Sequence, residues 1–482
     1  MLDSWSPWRA GVAALLLLMA CAPAAGRRGN TVILASGADL ESINPLLTTH
    51  PLARQVQRYA LFTTLVRYDS ALTPSPYLAR SWTWSRDSMG LTFRIFDGLK
   101  WHDGTPTTAF DAAWTLERAI DPATGYPRMA DLADLSDVWA PDDTTLELRF
   151  SARQRQIPDV LTDLAVLPSH LFDNVAPGAM RQATWNQRPV GNGPFRFVSH
   201  QPGRRWVFAR NPDFPEALGG PPRLDRFVVA VVDEPTTKLA ALTSGELDFA
   251  GINPAHAEFV RENPDLAVLD YPLLFTYAVV LNTRRPPFDK LLVRRAMMLP
   301  VDRSAIVNGV LFGYGTPAGG PLPPPMAPAD EKPPLYAPGR AIPLLGDRPL
   351  RFELLTVGSG EAALEQMLQA QYAAVGMTAQ IRQLELATYL DRVQGPAHDF
   401  DAAVMGVPGD LGAGQLRRML ELSGLRADGG RERLLRVFSD STPAVFLYHA
   451  RGVQGVNRRV RGVTMDLRGE LVSLSGWHVE AP

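Results

Sequence analysis

Residues 91–118 read LTFRIFDGLKWHDGTPTTAFDAAWTLER. Leu91, Phe93 and Ile95 alternate with Thr92 and Arg94, the period-2 pattern of a half-buried strand. Asp97-Gly98 and Asp103-Gly104 supply two turns, because Gly reaches positive φ without a Cβ clash. Thr108-x-x-Asp111 reads as a capping box, and Phe110, Trp114 and Leu116 give the following helix apolar positions to bury. These residues predict a hairpin running into a capped helix.

Outward from this block the chain alternates strands and helices. Thr31–Ala35 is an apolar strand leading into the polar loop 36–44, and a helix is expected from about Pro51 to Leu65. Further strands are expected at Thr144–Phe150 and Phe195–Ser199, and a helix start at Pro168-Ser169-His170-Leu171. Phe227–Val232 is a buried strand, followed by a helix capped by Asp233 with Pro235 in its first turn, and by the strand-like Leu247–Ala250. That succession is an α/β unit. Phe275–Leu281 is another strand, and Leu291–Leu299 a helix stopped by Pro300. Asp302 caps the next helix, and Leu364, Met367, Leu368, Tyr372 and Val375 line one face of another, ended by Gly376. Met377, Ala379 and Ile381 alternate as a strand. Pro clusters at 317–349, which reads as an extended surface segment.

The first residues point to export. Gly11–Ala20 is a ten-residue apolar run, about 15 Å long if helical, too short for a ~30 Å hydrocarbon core but suited to a signal peptide. Leu18-Met19-Ala20-Cys21 looks like a lipobox, so Cys21 is the expected lipid attachment point. It is the one Cys in 482 residues, which excludes an intramolecular disulfide and a thiolate cluster. Residues 1–20 are therefore expected as a lipoprotein signal peptide and 21–30 as a tether, with the protein outside the cytoplasm and anchored to the membrane.

With 48 basic against 50 acidic side chains, total charge gives no reason to expect nucleic acid as a partner. Only four basic residues are Lys, an arginine bias of the kind a GC-rich genome produces. The 46% hydrophobic content belongs to an ordered globular chain, and no 20–50-residue repeat is present. The eight His stand singly, with no HExxH; phosphate-loop and G-x-S-x-G motifs are absent. No metal, cofactor or catalytic residue is assigned.

The block at 91–118, preceded by LARSWTWS at 78–85, closely resembles the peptide/nickel-type solute-binding proteins of bacterial ABC importers, the family 5 extracellular solute-binding proteins. Further family-like pieces follow in order: Val190–Phe195, Arg210–Phe214, Leu242–Asp248, Asn282 with Pro287–Asp289, Val293–Met297, Asp302-Arg303 and Asp440–Tyr448. The resemblance runs from about residue 31 to 477. It implies an α/β, two-lobed periplasmic-binding-protein-like fold of the class II type, with mixed sheets, two hinge strands and an inserted subdomain in lobe one. On that pattern lobe one comprises 31–270 with an insert at about 69–183, lobe two 271–449, and 450–482 returns to lobe one. The hinges fall near Asp270-Tyr271 and 449–452.

The resemblance also implies where ligand sits. The loop Asp39–Leu47, with Asn44 and Leu46, corresponds to a cleft-lining segment. Met405–Asp410, with Gly406, resembles the stretch where peptide-binding members set an aspartate against a ligand's α-ammonium, which assigns Asp410 that role; the alternative is a solvated loop acid. Tyr277 is a further candidate lining residue, with the core as its alternative. Val407 replaces the family's usual Trp, Ala413-Gly414 its second Asp-Pro, and the segment 409–431 is short. Gly358 falls near the position of the arginine that pairs a dipeptide's carboxylate, so a dipeptide is not implied. Trp101, His102, Asp103 and Gly104 read as turn chemistry. The expected protein is a monomeric, lipid-anchored binding component that captures a peptide-like or other small solute for an ABC permease; an exported hydrolase and a sensor or chaperone without a transporter stay open as alternatives.

Overall fold

The computed structural model describes residues 29–480 apart from 49, 325, 347–348, 359, 410–413 and 428. The expected signal peptide, Cys21, most of the tether and Asp410 lie outside the described residues. No helix among the described residues is long and apolar enough to cross a membrane.

The 91–118 block folds around a strand, Gly90–Ile95, and a helix, Ala109–Ile120. Asp111 organises it. Its buried carboxylate accepts from Thr108 N (2.9 Å), Trp101 Nε1 (3.1 Å), Ser169 N (2.9 Å) and Ser169 Oγ (2.7 Å). Four donors satisfy a charge that burial would otherwise penalise. One expectation fails here: Phe110 is 48% exposed, and the helix instead buries Ala109, Ala112, Ala113, Leu116 and Ala119. Small residues let it lie close against an antiparallel four-stranded sheet ordered 79–84, 90–95, 145–150, 135–142.

The principal sheet is mixed and has eleven strands. From one edge it runs Met377–Leu384, Leu350–Val357, Ala402–Pro408, Leu266–Leu281, Ala444–Asn457, Phe249–Gly251, Thr31–Ser36, Arg226–Val231, Arg205–Arg210 and Phe195–Gln201. Gly315–Pro317 pairs with the return strand off this path. Two strands are unusually long: Leu266–Leu281 has 16 residues and Ala444–Asn457 has 14, paired antiparallel with each other. The expected strand Phe275–Leu281 is thus only half of its element. The register shifts between Pro272 and Thr276, opposite Arg451 to His449. Pro272 lacks a donor for the ladder, which favours an irregularity at this point.

On either side of that irregularity the chain has separate cores. One, spread over both the principal and the small sheet, includes Val32, Phe93, Phe227, Phe249 and Trp477, with a smaller one around Leu242 and Val260. The other lobe sandwiches its half of the sheet between a cluster around Phe288, Leu368 and Tyr372 and one around Phe400, Leu416 and Phe438. The fold is therefore two-lobed α/β. Two contacts seat the chain's end on the first lobe. Trp477 stacks on Phe249 (centroids 4.6 Å), and Arg459 donates to the fully buried Asp248 through Nε (2.8 Å) and Nη2 (2.9 Å).

Several element ends differ from expectation. The helix from Pro51 gives way after Val56 to a wider turn, Gln57–Leu61, and stops there. Glu234, not Asp233, caps Pro235–Thr243, its carboxylate accepting from Thr237 N (2.7 Å). Pro at the first helical position fixes the preceding residue as the cap. At Ser169–Leu171 only a single 3-10 turn forms.

Candidate functional site

In the second lobe Leu350–Val357, Met377–Leu384 and Ala402–Pro408 run parallel, and Phe275 pairs with Pro408 just where the long strand leaves its irregular stretch. The carboxyl ends of the parallel strands therefore face the junction of the lobes, the edge where open α/β sheets accept ligands. Tyr277 and Gly406 are register partners on this edge. A Cβ on Gly406 would overlap the Phe275 ring and sit 3.2 Å from Tyr277 Cζ, so the absent side chain gives two aromatic rings their room. Tyr277 stacks on Tyr448 (4.7 Å) and contacts Phe275 (5.4 Å). Behind them the Thr356 hydroxyl donates to the buried Glu365 carboxylate (2.6 Å). Burial, and then the Glu365 charge, raise the Tyr277 phenol pKa, so this edge stays neutral at its rings.

The first-lobe candidates are placed differently. Asn44 is fully buried; its Nδ2 donates to Asn186 Oδ1 (2.9 Å) and its Oδ1 accepts from Leu46 N (3.0 Å). Leu46 is 0% exposed within the core. The structure thus brings Tyr277 and Gly406 together and sets Asn44 and Leu46 apart from them, as the turn that shapes the loop. Trp101 is buried on Asp111, and His102 lies 3.0 Å from the Gly193 carbonyl oxygen, both as turn chemistry.

Between the small sheet's flank (residues 128–160) and the second lobe (414–436) lies a cavity of about 930 Å³. That is within the ~300–1,000 Å³ range of small-molecule sites. On the first-lobe side stands an ion cluster: Asp163 takes contacts from Arg54, Arg58 (2.7 Å) and Arg128 (2.8 Å). Burial alone would raise the Asp163 pKa; the Arg58, Arg54 and Arg128 guanidiniums outweigh it and hold the carboxyl far below its ordinary range. The Tyr68 hydroxyl donates to Asp159 beside it. Burial, and then the Asp159 charge, raise the Tyr68 phenol pKa, and Arg431 of the second lobe acts on it in the opposite sense.

Sequence reasoning missed Glu365, Tyr448 and the cavity's arginines. The helical spacing of Arg433 and Arg436, i and i+3, was the available signal; the arginine bias of the whole chain masked it.

Two lobes with separate cores, joined by long strands and enclosing a polar cleft, define a ligand-capturing clamp. The family model for bacterial extracellular solute-binding proteins, family 5, matches residues 73–415, and the chain belongs to that family. Di/tripeptide-binding protein 2 of Pseudomonas aeruginosa is 28% identical over 420 residues, covering 80% of this chain and 78% of the relative. Among solved structures, the ABC transporter substrate-binding protein CtaP of Listeria monocytogenes superposes with a TM-score of 0.81 at 20% identity, over 94% of this chain and 100% of the other. The oligopeptide-binding protein AppA of Bacillus subtilis, in complex with a nonapeptide, gives 0.76 at 20% identity, over 94% and 99%. The chain is therefore an extracytoplasmic solute-binding protein.

Proposed function

We propose that this protein is the lipid-anchored binding component of an ABC importer, capturing a small, peptide-like solute between its lobes and delivering it to the permease without chemical change. The observation that carries this reading is the pair of long strands, Leu266–Leu281 and Ala444–Asn457, which pass from one core to the other through a shared irregularity. Lobes joined only there move as bodies, and a ligand that touches both faces stabilises the closed state by its differential contacts. The same break supports 31–270 with 450–482 as lobe one, its insert at about 69–183, and 271–449 as lobe two. Tyr277, Gly406 and Asp410 serve as ligand contacts from the second lobe; Asn44 and Leu46 act through the shape of the first-lobe loop. The similarity to di/tripeptide- and oligopeptide-binding relatives supports a peptide-like solute. The lone Cys after an apolar run supports the anchor at Cys21, with the protein working as a monomer.

Mass spectrometry of the solute that co-purifies, followed by its uptake into cells with and without this gene, tests the reading. Loss of uptake on deletion is expected, and undiminished uptake contradicts it. Cys21→Ser releases the protein from membranes; continued sedimentation with them contradicts the anchor.

A further inference from the structure

We propose that the cleft between the small sheet and the second lobe selects a multiply anionic solute, either an acidic peptide or a polycarboxylate. The inference rests on reading the protein as a solute-binding clamp and names the ligand class; it adds to the contacts proposed at Tyr277 and Gly406 a charged region that those two residues do not line. Among the described residues the cavity is lined by seven arginines and four acids, in a chain whose formal net charge is −2. The basicity is therefore local. Its excess lies on the second lobe, where Arg417, Arg431, Arg433 and Arg436 stand with Glu432; on the small-sheet side Arg153 and Arg155 share the wall with Asp131, Asp134 and Asp159.

Asp131 is paired with Arg128 (2.7 Å), and Asp159 accepts the Tyr68 hydroxyl. Arg153, Arg155, Arg433 and Arg436 are exposed and have no ion-pair partner among the described residues. Among the described residues Arg417 reaches the Gly429 carbonyl, at 3.4 Å.

The excess of positive charge on the second-lobe wall, close to low-dielectric protein, focuses a positive potential into the opening. Guanidiniums present rigid donor forks that match carboxylates bidentately, so an anion gains geometry as well as charge. A solute with two or more carboxylates bridges the exposed arginines of the two walls and stabilises the closed form, which a neutral or cationic solute does not.

Calorimetric titration of the purified protein, stripped of co-purified solute, with triglutamate, trialanine, trilysine and citrate tests this. Triglutamate or citrate is expected to bind about tenfold tighter than trialanine, the effect of one charge-assisted bond. That advantage shrinks in about 0.5 M salt, where screening reaches only a few ångströms. The tighter of the two anions identifies the source as peptide or polycarboxylate. The double variant Arg433→Glu, Arg436→Glu removes the preference while leaving the melting temperature unchanged, since both side chains are exposed. Equal affinity for trialanine and both anions overturns the inference, as does a preference that survives the double variant. Trialanine binding with lobe closure would in that case leave the clamp reading standing; absence of closure with every bound solute would remove the clamp reading itself.

Discussion

Tyr271 lies across Gly452, its register partner on the facing long strand, so closely that a Cβ at 452 would overlap the phenol ring. The Tyr271 hydroxyl donates to Glu470 (2.7 Å), and Asp270 pairs with Arg451. The crossing between lobes is thus packed and hydrogen-bonded up to the point where the register breaks.

Gly452→Ala forces the ring aside. Overpacking of this kind costs about 1–3 kcal/mol, read as a lower urea midpoint. A double-mutant cycle with Tyr271→Ala is expected to show coupling between the positions; additive effects would contradict the contact.

Asp163 compensates three arginines from within the first lobe. Asp163→Asn leaves half-buried guanidiniums without this anion and is expected to destabilise the protein by about 1.5–3 kcal/mol, the range for hydrogen bonds to charged groups. Its folded pKa lies below the ordinary value of 3.8, so its stabilisation is complete above about pH 4 and is lost as pH falls further. Urea melts of both proteins between neutrality and pH 3 check this: the difference should narrow at the acid end. A constant difference would contradict the ion cluster.

His449 sits at the crossing, buried, its Nδ1 2.9 Å from the Thr276 hydroxyl, which donates to the Pro321 carbonyl oxygen (3.1 Å). Burial lowers its pKa from 6.5 to about 4. The unfolded chain therefore takes up the proton first, and stability falls as pH drops from about 6.5 to 4, by at most about 3 kcal/mol from this residue. His102, lowered to about 4 chiefly by burial, moves the same way. His449→Gln should flatten the pH dependence of the urea midpoint in that interval. An unchanged slope would show that the ring is not buried neutral.

Asp410→Asn is expected to weaken a ligand bearing an α-ammonium by about 1.5–3 kcal/mol, the range for hydrogen bonds to charged groups. The comparison that isolates the effect is a free peptide against its N-acetylated form. The variant should lose discrimination between them, and retained discrimination would return Asp410 to the status of a loop acid.

Local chemistry was legible in the sequence, and contacts between distant segments were not. Asp111 announced itself three residues after Thr108, and its reach back to Thr108 N is present. The 16-residue strand was seen only from Phe275 onward, because Asp270 and Pro272 interrupt the apolar pattern that marks a strand. Asp270 is there for Arg451 and Pro272 for the register break, both partners lying far along the chain. Leu46 and Asn44 illustrate the same limit: their loop was identifiable, but which side chains turn inward depends on Asn186 and on the core above them. The guanidiniums of the cleft come from opposite lobes and become one feature only when the chain folds.

The most direct test of the clamp is the distance across it. Spin labels at Ser136→Cys on the small sheet and Glu421→Cys on the second lobe, in a Cys21→Ser background, report that distance by pulsed electron resonance. Adding back the co-purified solute to stripped protein should shorten and narrow the distribution. A distribution unchanged at saturating solute would contradict closure of the lobes over a ligand.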